Sequence, residues 1–252
     1  MAEYLIQDTT LDAIADSINA KTGGSSAMTP AEMVTAIGSI SGGGEWTTDG
    51  LASGAEPNGD LVITVSAFRL AAFWGAKNLG KVTVTSGQDI GGTNVFRESS
   101  ITEFVGHFTH AIRASNLFYS CYSLSKIVIP KATYFENSMC YSCTGLETAD
   151  IGGGSINRGA IFQYCKKLQT IIIRGTTLCT LSNVSNLAGT PFAGTGNTGL
   201  TGTLYVPASL VESYKTASNW STFYNGGTMD VLPIEGSIYE TQYADGTPIP
   251  TE

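Results

Sequence analysis

The middle of the chain repeats one arrangement of apolar and polar positions with a period of 22 residues. Each unit opens on an apolar residue and places others three, six, nine and eleven positions later, as in Phe118, Cys121, Leu124, Ile127 and Ile129. A unit this short cannot bury its own apolar face, so repetition in register predicts a solenoid in which each turn covers the next. The leading residues of five units lie 23, 22, 22 and 22 positions apart and are Phe73, Phe96, Phe118, Cys140 and Phe162.

The apolar triplet that closes each unit predicts one strand per turn. Stacked about 4.8 Å apart, five to six such strands form a parallel sheet with the Phe, Cys, Leu and Ile columns on its inner side. We therefore predict a mainly β fold, a solenoid of about 22-residue turns that occupies residues 61–207.

Two amphipathic helices are predicted before the repeats, within residues 1–40. Gly23 and Gly24 end the first helix, and Thr29 and Glu32 have the spacing of a capping box at the start of the second. Two helices of about three turns bury little between themselves, so we expect their apolar faces to serve attachment or oligomerisation. A hairpin folded back on its own domain is the alternative. The apolar faces consist of Leu11, Ile14, Ile18, Met33, Ile37 and Ile40.

The remaining segments connect and close this architecture. Residues 41–60 are polar and Gly-rich, which indicates a linker and turns, and residues 208–252 are predicted to form a C-terminal cap and tail. In the cap, Ser209 and Glu212 have capping-box spacing for a short helix, and a later apolar run predicts an edge strand. We expect the stretch 245–252 to be flexible or bound to a partner.

Composition narrows the class of protein. Charged residues make up 13% of the chain, Gly accounts for 30 of 252 residues, and the formal net charge is −8. An acidic balance disfavours nucleic acid, which proteins meet with clustered Lys and Arg. The start of the chain lacks the basic and apolar regions of a signal peptide, and no uncharged apolar run reaches the length of a membrane span. We expect neither the usual export route nor membrane insertion.

Cysteine and histidine supply the candidates for metal or redox chemistry. Cys140 and Cys143 have the spacing of a ligand pair, but both fall on inward columns of the repeat, so we interpret them as core thiols. We interpret His107 and His110 as polar residues of a solvated turn, the alternative being a metal shared across a symmetry axis. With five Cys and no export signal we expect free thiols, and we predict no metal and no cofactor.

The sequence contains no recognisable catalytic motif. It has no nucleophile elbow of the serine hydrolases, and its glycine runs do not form a strand–loop–helix phosphate cradle. Acids such as Glu98 and Glu103 are close in sequence, which is poor evidence for the paired carboxylates of a glycosidase. We predict that the protein is not an enzyme.

A column of mostly aromatic residues, centred one position after each leading residue, is the best candidate for binding. Side by side on a rigid scaffold, such rings offer apolar faces with polar tips, which suit sugars or protein partners. The alternative is that the rings pack under returning loops or against a sister subunit. The candidate binding residues are Trp74, Arg97, Tyr119, Tyr122, Tyr141 and Tyr164.

The outward strand positions form a second, partly apolar strip. This strip either meets a partner or is covered by a neighbouring chain. It consists of Thr83, Val128, Asp150 and Ile172.

Three parts of the sequence resemble parts of known proteins. The unit FYSCYSLSKIVIP at 118–130 resembles the BspA-like leucine-rich repeats of bacterial surface proteins and of phage tail proteins. The segment LYVP at 204–207 is similar to the segment that commonly closes such arrays. The stretches LDAIADSIN at 11–19 and MTPAEMVTAI at 28–37 resemble a helical leader of phage tail and baseplate proteins.

The resemblance implies a phage virion protein, a tail fibre or receptor-binding component. Residues 1–40 would attach it to other virion proteins, and the repeats would face a glycan or protein of the host cell surface. By analogy with fibres we expect a homo-oligomer, with a trimer favoured, made in the host cytoplasm and located on the virion exterior. The alternatives are a virion structural or head-decoration protein and a bacterial surface adhesin.

Overall fold

The computed structural model describes residues 58–63, 71–85, 92–106, 112–156, 159–194 and 200–250, all within one compact unit, Glu45–Glu252. The two predicted helices, with the apolar faces from Leu11 to Ile40, lie outside the described residues. So do His107 and His110.

The described residues form a mainly β solenoid built on one parallel sheet. Neighbouring strands pair in register, so that Ile127 has Phe104 on one side and Ala149 on the other. Within the described ranges this sheet has eight strands. In spatial order they are β1 (Asn58–Ile63), β2 (Asn78–Val84), β3 (Glu103–Gly106), β4 (Lys126–Ile129), β5 (Thr148–Ile151), β7 (Thr170–Ile173), β9 (Gly202–Val206) and β10 (Met229–Pro233).

A second, two-stranded parallel sheet lies on the returning part of the turns. It pairs β6 (Ser155–Ile156) with β8 (Thr180–Leu181). Ile156 and Leu181 are buried, so this small sheet closes the core on the side away from the main sheet.

The columns predicted to face inward form the core. The five leading residues of the repeats are at most 3% exposed. The Phe96 ring stacks on Phe73 at 4.9 Å and on Phe118 at 5.6 Å between centroids. These contacts run along the solenoid axis, so each turn buries the leading residue of the next.

Every turn bends at two left-handed backbone positions, two residues before and two residues after the leading residue. Nine of these ten residues are not glycine, and such residues adopt left-handed φ at a cost of roughly 1–2 kcal/mol each. Backbone hydrogen bonds between successive turns fix the bends. The φ angles lie between 54° and 71° at Ala71, Gly75, Asn94, Glu98, Asn116, Ser120, Ser138, Ser142, Ala160 and Tyr164.

Two short helices connect β9 to β10 and close the end of the core. They are α1 (Val211–Thr216) and α2 (Trp220–Asn225). Tyr214 and Trp220 hold the backbone of Cys179, since the Cys179 N–H donates to the Tyr214 hydroxyl at 2.9 Å and Trp220 Nε1 donates to the Cys179 carbonyl at 2.8 Å. The later apolar run forms β10, as predicted.

The predicted capping box of Ser209 and Glu212 is wrong. The chain leaves β9 through Pro207 into a 3₁₀ turn, Ala208–Leu210, and α1 begins after it with no side-chain cap. The Ala208 N–H instead donates to the Glu235 carboxylate at 2.8 Å. The Glu235 carboxylate therefore satisfies the first N–H of the 3₁₀ turn, and the start of α1 has no side-chain cap.

The outer side of the sheet is covered by the C-terminal strap, residues 239–250. Tyr243 of the strap packs with Val105 and Val128, and the strap N–H of Ala244 donates to Asp150 Oδ2 at 2.9 Å. The prediction of a flexible or partner-bound tail is therefore wrong for residues 245–250. They fold back on this chain, where Ile249 joins the same cluster.

The strap also corrects the prediction for the outward strip. Val128, Asp150 and Ile172 are fully buried within this chain, and Thr83 is half-buried. Most of the strip is therefore not free for a neighbouring chain.

Candidate functional site

Five of the predicted binding residues form one continuous line of contacts, the aromatic ladder. It consists of Trp74, Arg97, Tyr119, Tyr141 and Tyr164, each from a successive turn. The Arg97 guanidinium lies over the Trp74 ring at 5.1 Å and over the Tyr119 ring at 4.5 Å. Tyr119 stacks on Tyr141 at 4.8 Å, and Tyr141 meets Tyr164 edge to face at 5.4 Å.

Backbone hydrogen bonds set the spacing of the ladder. The carbonyl oxygen one position after a leading residue accepts from the left-handed N–H of the preceding turn. The bend that reverses the chain thus also fixes the start of the next ladder side chain. The donor and acceptor residues, 2.8–2.9 Å apart, are Gly75 and Arg97, Glu98 and Tyr119, Ser120 and Tyr141, and Ser142 and Gln163.

At the fifth turn the ladder changes position. Gln163 stands where the column predicts an aromatic residue, and the ring comes from Tyr164, one residue later and itself left-handed. The Tyr164 ring lies against Gly189, where an added Cβ would sit 2.6 Å from the Tyr164 Cδ1. A glycine at this position leaves room for the last ring.

Tyr122 does not join the ladder. Its side chain is 62% exposed, and it makes no ring contact with the ladder residues in the described part of the chain. The structure therefore separates the six predicted residues into a ladder of five and an exposed tyrosine beside it.

Glu98 clamps one end of the ladder, a role that the sequence analysis missed. Its carboxylate accepts from Arg97 Nε at 3.0 Å and from Trp74 Nε1 at 3.3 Å. The hydrogen bond from Arg97, followed by that from Trp74, lowers the pKa of Glu98 below its usual value. The sequence signal that could have identified Glu98 is an acid directly after the arginine of the column.

In the middle of the ladder, Tyr119 presents a ring edge and a hydroxyl group, not the flat face expected from the sequence. The two faces of the Tyr119 ring are covered by Arg97 and by Tyr141. Partial burial and the neighbouring rings of Tyr119 and Tyr164 raise the pKa of Tyr141, so its hydroxyl is protonated at neutral pH and can donate. A partner lying along the ladder thus meets polar tips and the edges of rings.

The Cys column lies in the core and forms thiol–carbonyl hydrogen bonds between turns. Cys121 donates to the Phe96 carbonyl and Cys143 to the Phe118 carbonyl, both at 2.8 Å, and Cys165 donates to the Cys140 carbonyl at 3.0 Å. The five cysteines are free thiols, as predicted, and all five are buried, which was predicted for the four on the inward columns and not for Cys179.

Burial raises the pKa of Cys121, Cys140 and Cys165, and it raises the pKa of Cys179 to about 12, so these four thiols are poor ligands and nucleophiles. At Cys143 burial also acts to raise the pKa, but hydrogen bonds with the Cys140 and Cys165 thiols outweigh it and lower the pKa below its ordinary value. In the described part of the chain no three His, Cys, Asp or Glu side chains are grouped so as to hold a metal ion.

An apolar groove lies at the C-terminal end of the repeats. Its volume is about 470 Å³, and it lies between the segment 184–193 and helix α2. Val184, Ala188, Ala193 and Phe223 supply its apolar lining.

Among the described residues there is no helix long and apolar enough to cross a membrane.

Comparison with known families agrees with this architecture. The family model of the BspA type leucine rich repeat region matches residues 61–169 in six copies. No curated protein and no solved structure matches the chain. The chain thus contains a BspA-type leucine-rich repeat region, and in the structure the same parallel sheet continues beyond the matched residues through β7, β9 and β10.

Proposed function

We propose that this protein is a non-catalytic recognition protein whose aromatic ladder is its binding surface. The observation that carries the proposal is the continuity of the ladder over five successive turns, with Trp74 50% and Tyr164 41% exposed at its ends. Solenoids of stacked repeats offer extended surfaces that suit binding. Tyr, Trp and Arg are the residues that most often carry binding energy at protein surfaces.

The biological setting that we propose is the exterior of a phage virion, as a tail fibre or receptor-binding component. The resemblance of the segments 11–19 and 28–37 to a phage tail leader supports this setting. Residues 1–40 would join the protein to other virion proteins and to further copies of itself, with a trimer favoured. The ladder would then face a glycan or protein of the host cell surface.

A virion structural or head-decoration protein is the second candidate. The apolar groove beside α2 favours it, since a groove of this kind can receive an apolar segment of another subunit. Such a protein would bind virion subunits and not cells. A bacterial surface adhesin, the third candidate, would share the ladder but would need to be exported.

Binding of the purified, fluorescently labelled full chain to candidate host cells tests the proposal. A variant with Trp74, Tyr119 and Tyr141 replaced by Ala should lose most of the binding. Tyr224→Ala is the matched control, because Tyr224 is a surface tyrosine of α2, away from the ladder. If the protein binds to no permissive host, the receptor role is refuted. If the triple variant binds as well as the unmodified protein, the ladder is not the binding surface.

A further inference from the structure

The charge around the ladder is opposite in sign to that of the whole chain. The chain carries a net charge of −8. The turn segments that bear the ladder begin at each leading residue and end eight residues later, or seven in the shorter second unit, at 73–81, 96–103, 118–126, 140–148 and 162–170. They contain three acids, Glu98, Glu103 and Glu147, and six basic residues, Lys77, Lys81, Arg97, Lys126, Lys166 and Lys167.

Each of the three acids is already paired with a base of the same surface. Glu103 lies 3.6 Å from Lys81 and 3.9 Å from Lys126, and Glu147 lies 3.8 Å from Lys167. Lys77 and Lys166 are exposed and form no ion pair with any described residue. The ladder side therefore keeps an excess of positive charge, with one of these free lysines near each end.

Arg97 is held so that its terminal nitrogens are available to a ligand. The Trp74 and Tyr119 rings lie over its guanidinium, and Glu98 accepts from Nε. In the described part of the chain no group accepts a hydrogen bond from the two terminal nitrogens, and the side chain is 28% exposed. A guanidinium fixed in this way needs little further ordering to bind a carboxylate or phosphate with both terminal nitrogens.

We infer that the ladder binds an anionic polysaccharide, with Arg97 as the anion-recognising residue. This inference rests on the proposed function of the ladder. Covered ring faces exclude recognition by stacking of sugars on Tyr119. The ladder instead places hydroxyl groups on three successive turns, at Tyr119, Tyr141 and Tyr164, and the Arg97 cation on the turn before them. A polymer that carries repeated acceptor groups and negative charges matches this line of donors. An acidic peptide shares the charge, but acidic motifs are recognised by clusters of arginines, and Arg97 is the one arginine of the ladder.

Binding of the full chain to polygalacturonate, to its methyl ester and to polyglutamate tests the inference. We expect polygalacturonate to bind at least tenfold more tightly than the ester and more tightly than polyglutamate, with an affinity that falls as salt rises. Equal binding of the ester overturns the inference, because the ester keeps the sugar and loses the charge. Equal or tighter binding of polyglutamate overturns it in favour of an acidic peptide.

Variants of the clamp separate recognition from folding. Arg97→Gln should weaken polygalacturonate binding about tenfold, as expected for a charge-assisted hydrogen bond, and Arg97→Lys should fall between. Glu98→Gln should tighten binding, because it removes a negative charge beside the bound anion while the amide oxygen can still accept from Arg97 Nε. Lys131→Gln, an exposed lysine outside the ladder segments, should leave binding within about twofold, since a distant exposed charge is screened. Unchanged binding by both Arg97→Gln and Glu98→Gln refutes the inference.

The two proposals fail differently. If cell binding depends on the aromatic residues but is unaffected by Arg97→Gln, the anionic ligand is wrong and the recognition function remains. If cell binding is unaffected by loss of the aromatic residues, the recognition function itself is wrong.

Discussion

Asp150 and Arg174 form a two-pronged ion pair on the outer side of the sheet. Arg174 Nε donates to Oδ1 and Nη2 to Oδ2, each at 2.7 Å. The remaining donors of Arg174 reach the carbonyl oxygens of Tyr239 and Gln242 in the strap. One arginine thus joins two turns of the solenoid to the C-terminal strap.

Removing the acid of this pair should be strongly destabilising. The Asp150 side chain is 0% and that of Arg174 12% exposed, so Asp150→Ala leaves a buried cation without its partner. We expect a loss of about 3–5 kcal/mol in the free energy of unfolding, measured by denaturant titration. The matched control is Glu212→Ala, which breaks the exposed pair with Lys215 and should leave stability nearly unchanged. Similar losses in both variants would contradict the prediction.

Deleting the strap should expose the outer side of the sheet. A chain that ends at residue 238 loses the cover over Val105 and Val128, so we expect strong fluorescence of a dye that reports apolar surface, together with a lower unfolding midpoint. A chain shortened by residues 251–252 alone is the control and should match the full protein. A strapless chain with unchanged dye binding would show that the strap is not needed as a cover.

The Glu98 clamp should open at acid pH. Its pKa is lowered in the folded protein, so the hydrogen bonds to the carboxylate are fully present above the ordinary value of 4.5 and are lost as pH falls through the lowered value. The carbon chemical shift of the Glu98 carboxyl group, followed by NMR, should give a midpoint below 4.5. In Arg97→Gln the midpoint should move up. An equal midpoint in the two proteins would mean that Arg97 does not hold the carboxylate.

Substitution of Gly189 should disturb the last ring of the ladder. Gly189 has φ +74° and faces the Tyr164 ring, whereas Gly227 has φ +69° and nothing within 4 Å of an added Cβ. Gly227→Ala therefore measures the backbone cost alone, roughly 1–2 kcal/mol. Gly189→Ala should cost more than this and should shift the NMR signals of Tyr164. Equal losses, with Tyr164 unmoved, would refute the close contact.

The five thiols should not react with a thiol reagent in the folded protein. All five are buried, which keeps the reagent away from them. At Cys121, Cys140, Cys165 and Cys179 the raised pKa also disfavours the reactive thiolate, whereas at Cys143, whose pKa is lowered, burial alone protects the thiol. In denaturant the same reagent should detect five groups. Rapid reaction of one or more thiols under native conditions would place that cysteine at the surface.

The repeat could be predicted from the sequence because burial recurs with the chain period. Phe96 and Phe118 both face inward because they occupy the same position of their repeat units. Once the inward positions of one unit are known, those of the other units follow from the period. The covered ring faces could also have been anticipated, since rings on neighbouring turns about 4.8 Å apart leave no space for a ligand between them.

The positions of the strap and of the Glu98 clamp could not be predicted from the repeat period. The contact between Asp150 and Ala244 joins residues 94 positions apart and has no periodic signature. An aspartate between the apolar residues Val128 and Ile172 of the strip was the one available sign that a group with matching charge would cover it. Glu98 could not be recognised from the column, because the column is defined by aromatic residues and Glu98 lies one position beyond it.

The hydrogen bond from the second left-handed N–H of a turn to the carbonyl one position after the leading residue of the next turn makes the surface modular. Insertion or deletion of a whole 22-residue unit would restore every such bond, so the ladder can lengthen or shorten in steps of about 4.8 Å without repacking the core. Gain or loss of a single residue within a unit would break them. The length of the ladder is therefore a quantity that evolution, or an engineer, can change by one repeat unit at a time.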